Sequence, residues 1–158
     1  MIRSHVISAA SVAFALAVMG CSSSDGDAQT AGPSAATGCA ADTRKDVYTA
    51  GLTKRAGSLS VKLVDAAPAP PSKGTNAMTI AVTDAAGVPV DGATVRVLPF
   101  MPDHGHGSAV TPVVAAAGAG TYTVSKVYFA MAGLWKVSIT VETSSGTQEA
   151  VFQFCLDG

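Results

Sequence analysis

The chain has 158 residues, 13% of them charged and 6% aromatic, with a formal net charge of −1. That length holds one domain, and so few aromatics mean a core assembled from a small number of large side chains. A near-neutral chain without a dense Lys/Arg cluster excludes nucleic acid as a partner, which needs a basic face, and gives no basic patch for a membrane surface.

Arg3 opens a positively charged start, and residues 6–19 form an apolar run too short and wrongly flanked for a spanning helix. The run leads into Val18-Met19-Gly20-Cys21. A small residue before a cysteine, with aliphatic residues upstream, resembles the bacterial lipobox, where the peptide is cut before the cysteine and the cysteine is acylated. The resemblance implies a lipoprotein signal peptide over residues 1–20 and attachment to the lipid bilayer through acylated Cys21. With Ser22 rather than Asp behind it, the resemblance also implies an outer-membrane address facing the periplasm. The alternative is an ordinary secretory signal cut nearby, with Cys21 an odd free thiol. Residues 21–38 are rich in Ser, Gly, Asp, Ala, Thr and Pro and contain no large apolar side chain, so they read as a flexible tether. The folded domain is then 39–158. With Cys21 acylated, Cys39 and Cys155 remain, and in an exported protein such a pair is expected as a disulfide. The alternative, two free metal-binding thiols, finds no ligand spacing near either one.

Residues 40–54 are the most charged stretch, with Tyr48 and Leu52 to bury, and read as an irregular lead-in with one short helical turn. Residues 59–65 alternate, with Leu59, Val61 and Leu63 on one face, as a half-buried strand requires. Pro68, Pro70 and Pro71 forbid a ladder and make residues 66–76 an extended connector. Residues 77–83 place Met78, Ile80 and Val82 on one face, and residues 94–98 turn Val95 and Val97 inward. Between them, Asp84-x-x-Gly87-x-Pro89-Val90-x-Gly92-Ala93 resembles hairpins of bacterial immunoglobulin-like domains, a signal of fold without chemistry. Residues 109–116 are a weak strand, 121–127 a strong one, and 134–142 the best in the chain, with Trp135, Val137, Ile139 and Val141 aligned. Residues 147–156 close the domain with Phe152 and Phe154 inward; Cys155 falls on the opposite face, which sets the disulfide at the rim. Seven short strands with Gly and Pro turns predict an all-β, immunoglobulin-like two-sheet β-sandwich.

Pro99-Phe-Met-Pro-Asp-His-Gly-His-Gly-Ser108 holds two of the three histidines of the chain; the third, His5, lies in the signal segment. If the segment is extended, His104 and His106 point the same way and can converge on one ion. Met101 lies three residues upstream, and thioether beside imidazole is a soft donor set that suits copper, Cu(I) especially. Asp103 can orient a histidine nitrogen from outside the ligand set. Met131 precedes Trp135, and if its loop shares an end of the sandwich with His104, the ligands become Met101, His104, His106 and Met131, with Trp135 as a hydrophobic wall. The competing reading makes both methionines core fillers and His-Gly-His-Gly a solvated turn.

Gly74-x-Asn76, the Asp84–Ala93 pattern, Met101-Pro-Asp-His-Gly-His-Gly, Gly120-x-Tyr122 and Met131-x-Gly-x-Trp135 together resemble the YtkA-like domain, related to FixH-type proteins. The likeness runs from about Leu59 to Phe154. It implies a small extracytoplasmic sandwich and, for some relatives, an association with copper handling; the FixH-like spanning helix is missing. No Ser/His/Asp or Cys/His arrangement, paired carboxylates or phosphate-cradling glycine motif is present, so no enzyme is expected. Two functions remain: a monomeric, lipid-anchored copper binder that passes its ion to an accepting envelope protein, or a non-catalytic envelope module without metal.

Overall fold

The computed structural model describes residues 38–158. The signal segment, Cys21 and residues 21–37 of the tether lie outside the described residues. A single helical turn, Gly38–Ala40, precedes nine strands: β1 (Leu52–Ala56), β2 (Leu59–Ala67), β3 (Gly74–Thr83), β4 (Thr94–Met101), β5 (His106–Gly107), β6 (Val113–Gly118), β7 (Thr121–Phe129), β8 (Gly133–Thr143) and β9 (Gly146–Leu156). They form two antiparallel sheets, β1-β2-β3-β7-β6 and β5-β4-β8-β9. The expected all-β sandwich is therefore present.

The alternation read from the sequence is what fills the space between the sheets. Leu59, Val61, Leu63, Met78, Ile80 and Val82 come from one sheet, and Val95, Val97, Trp135, Val137, Ile139, Phe152 and Phe154 from the other. Trp135 packs against Phe129 with ring centres 5.2 Å apart. Burying apolar side chains of this size contributes about 2–3 kcal/mol each before ordering costs.

The structure differs from expectation in several places. The connector is shorter than residues 66–76, because β2 stays paired to Ala67 and β3 is paired from Gly74, which leaves residues 68–73 around the prolines outside the ladder. Residues 52–56 are a strand rather than lead-in: Leu52-Thr-Lys-Arg-Ala alternates too weakly to read alone, but it pairs through the Gly57 turn with β2. A two-residue strand, β5, pairs Met101 with His106 across a turn. Leu134, on the opposite face of its strand from Trp135, is only 2% exposed, because the Gly38–Ala40 turn, bonded through Cys39 to the Cys155 that pairs with Leu134, packs over that face of β8. The same turn carries Cys39, which is bonded to Cys155 across 116 residues at the rim of β9.

The far end of the sandwich explains two of the sequence patterns. Asp84 Oδ1 accepts from the amides of Ala86 and Val88, which shapes the turn through Gly87. Tyr122 donates its hydroxyl to Val90 O and accepts from Ala93 N, while Asp91 Oδ1 accepts from Gly120 N. Gly120 has φ +67°, and a Cβ there would stand 2.5 Å from Val82 O, so no other residue fits without displacement. Asn76, 1% exposed, is satisfied by Ser72 and Gly74 at the end of the proline connector.

Candidate metal centre

The hairpin between β4 and β5 presents both histidines. Residues 102–105 are a turn rather than the extended segment expected from the sequence. Met101 O accepts from both His104 N (3.3 Å) and Gly105 N (2.9 Å), and Gly105 takes φ +69°, so the chain reverses between the two histidines. The turn, and not an extended segment, is what brings the two rings near one another. Their centres are 5.8 Å apart with planes at 61°, and both residues are exposed. A nitrogen ligand at about 2.0–2.1 Å puts its ring centre roughly 3.2 Å from the metal, so two imidazoles on one ion have centres roughly 5–6.5 Å apart. The pair falls inside that range.

His106 is also oriented. Its Nδ1 lies 3.1 Å from Gly107 O, and because a carbonyl only accepts, Nδ1 carries the proton and the neutral ring keeps the lone pair of Nε2. This backbone contact does for His106 what Asp103 was expected to do. Both oxygens of Asp103 instead accept from Arg44, at 2.7 Å each, and the same guanidinium binds Asp42 at 2.7 and 3.1 Å. These bonds to Arg44 hold the carboxyls of Asp103 and Asp42 below the usual carboxylate range and push the guanidinium up.

The Met131 loop shares this end of the sandwich. Trp135 Nε1 donates to Met131 O at 3.0 Å, and the Trp135 ring stands 6.2 Å from that of His106, edge to face. The two thioethers differ in access. Met101 has no exposed surface, and its methyl lies 2.9 Å from where a Cβ on Gly133 would stand. Met131 is 39% exposed. Among the described residues, no group of three or more His, Cys, Asp or Glu side chains is arranged to hold an ion. Reading the sequence missed Arg44, whose partner Asp103 is 59 residues away; the one hint is its place in the most charged stretch of the chain.

No curated protein and no solved structure matches this chain. The sequence model of the YtkA-like family matches residues 53–140, from β1 into β8, and takes in the histidine hairpin, Met131 and Trp135. That match spans more than half of the protein, and with the sandwich it frames it shows that the chain belongs to the YtkA-like family.

Proposed function

We propose that this extracytoplasmic module binds copper through His104 and His106, with Met131 and Met101 as the thioethers that complete the site. The observation that carries the reading is the pairing of two exposed imidazoles, 5.8 Å between centres, with one Nε2 left free by a backbone bond. Hard ions need more oxygen ligands than this end supplies, whereas Cu(I) accepts a small set of nitrogen and sulfur donors. Met131 is the exposed methionine; Met101, buried in the core at the foot of the hairpin, would supply the second thioether. Trp135 closes the inner side and limits water there. The role is binding and transfer, with no catalytic step: an ion held at an exposed hairpin can pass to an acceptor of the envelope. Acylation of Cys21 would hold a single copy of the protein at the outer membrane.

Titration of the purified chain carrying Cys21→Ser with Cu(I), Cu(II) and Zn(II) tests this. Cu(I) is expected to bind one per chain and to be lost in the His104→Ala/His106→Ala variant. Equal uptake by that variant would remove the site. The second reading, an envelope module whose hairpin only shapes a loop, is favoured by the lack of a third His, Cys, Asp or Glu beside the pair among the described residues. It predicts negligible uptake by the unaltered chain.

A further inference from the structure

We infer that Arg44 is the positioning residue of the imidazole pair, tying the tip of the histidine hairpin to an arm that the disulfide fixes to the sandwich. This rests on the copper reading of the hairpin and adds to it a residue that the family match, which begins at residue 53, does not include.

The hairpin by itself is weakly held. Its bonds close onto its own strand: His104 N and Gly105 N onto Met101 O, Ser108 N onto Pro99 O, and two residue pairs between β4 and β5. Among the described residues, the hydrogen bonds that tie its tip to another part of the chain are those from Arg44 to Asp103. Asp103 is adjacent to His104, so the carboxylate that Arg44 grips sets where that imidazole starts.

The arm that presents Arg44 is fixed on both sides. Upstream, Cys39 is bonded to Cys155. Downstream, Asp46 N donates to Gln153 O at 2.7 Å, Gln153 N donates to Asp46 Oδ2 at 2.8 Å, and Lys54 pairs with Asp46. Between these points Lys45 bonds the carbonyls of Cys39, Ala40 and Asp42. Asp42 then takes the remaining edge of the guanidinium, with its own oxygen also accepting from Arg44 N at 2.8 Å. An exposed ion pair is ordinarily worth little because ordering two long side chains offsets the attraction. Here one guanidinium forks onto two carboxylates from an arm that is already ordered, so less freedom is lost on closing the contact.

The test compares Arg44→Ala and Arg44→Lys with the unaltered chain, all carrying Cys21→Ser. Amide hydrogen exchange at His104 and Gly105 is read without metal; Cu(I) affinity and the imidazole count by X-ray absorption are read with it. Arg44→Ala is expected to speed exchange at those two amides several-fold while the exchange of β8 stays unchanged. It is also expected to lower Cu(I) affinity about 10-fold or more and to reduce the bound imidazoles from two toward one. Arg44→Lys, which keeps the charge and loses the fork, is expected to fall between. Unchanged exchange at His104 and Gly105 in Arg44→Ala overturns the inference, as does unchanged affinity in a chain that binds copper. Absence of copper binding by the unaltered chain overturns the copper reading instead, and the positioning of the hairpin by Arg44 is then decided by exchange alone.

Discussion

At the end of the sandwich that holds Gly120, the polar groups of the turns satisfy one another: Asp84 its own loop, Asp91 the Gly120 amide, Tyr122 both Val90 and Ala93. At the opposite end, His104 and His106 stand exposed, an exposed thioether lies in the neighbouring loop, and the hairpin tip is tied through Arg44. Both ends are rich in glycine, and the loops of both fall within the family match, with Arg44 alone lying before it. The lesson is that a patterned loop can be kept for two reasons. Closed hydrogen bonding holds a shape, whereas side chains left open beside a rigid wall are free for a contact that the fold itself does not use.

Four measurements break or sharpen that contrast, and the largest effect should come from the disulfide. Replacing Cys39 and Cys155 by Ser removes the upstream hold on the arm and is expected to cost about 4 kcal/mol, read from denaturant unfolding. Exchange should rise at the histidine hairpin before it rises around Asp84; the reverse order would mean that the arm does not govern the hairpin.

Gly120→Ala acts at the other end. A positive φ and a Cβ 2.5 Å from Val82 O make it a strained site, expected to cost about 3 kcal/mol in thermal or denaturant unfolding. Copper uptake by the folded fraction should stay as it was. Loss of uptake there would show that the two ends are coupled through the core.

His104→Ala/His106→Ala is expected to shift stability by no more than about 0.5 kcal/mol, since both side chains are exposed and make few bonds within the fold. A larger loss would mean that the histidines are structural, like Tyr122, and would erase the contrast between the ends.

The smallest effect is acid loosening of the Arg44 contacts. Asp42 and Asp103 both have folded pKa values depressed by their bonds to Arg44. Their contribution is therefore present above the ordinary carboxylate pKa of about 3.9 and is lost as pH falls further through the folded values. The side-chain carboxyl carbon resonances of Asp42 and Asp103 should titrate with midpoints below the ordinary value of about 3.9; midpoints at or above that value would show that Arg44 does not hold these carboxylates.

Much of the fold was legible because its strands are half-buried. Leu59, Val61 and Leu63, or Trp135, Val137, Ile139 and Val141, announce one buried face by period alone. β1 was not legible: Thr53, Lys54 and Arg55 form an edge whose partner, β2, supplies most of the order. The burial of Leu134 was not legible, because nothing local shows that a turn more than ninety residues upstream will cover it. For the candidate site, the residue types of the histidine hairpin were legible, as was the pairing of Cys39 with Cys155. The turn at Gly105 and the partner of Asp103 were not, because one depends on a single backbone angle and the other on a contact across 59 residues.

The unequal access of the two thioethers also decides how the protein ages under oxidants. Met131, open to water, will take up oxygen first, whereas the sulfur of Met101 sits in a space shaped by Gly133 with no exposed surface. A chain exposed to peroxide would then carry its first sulfoxide in the loop and keep its interior unaltered, losing a soft donor while remaining folded.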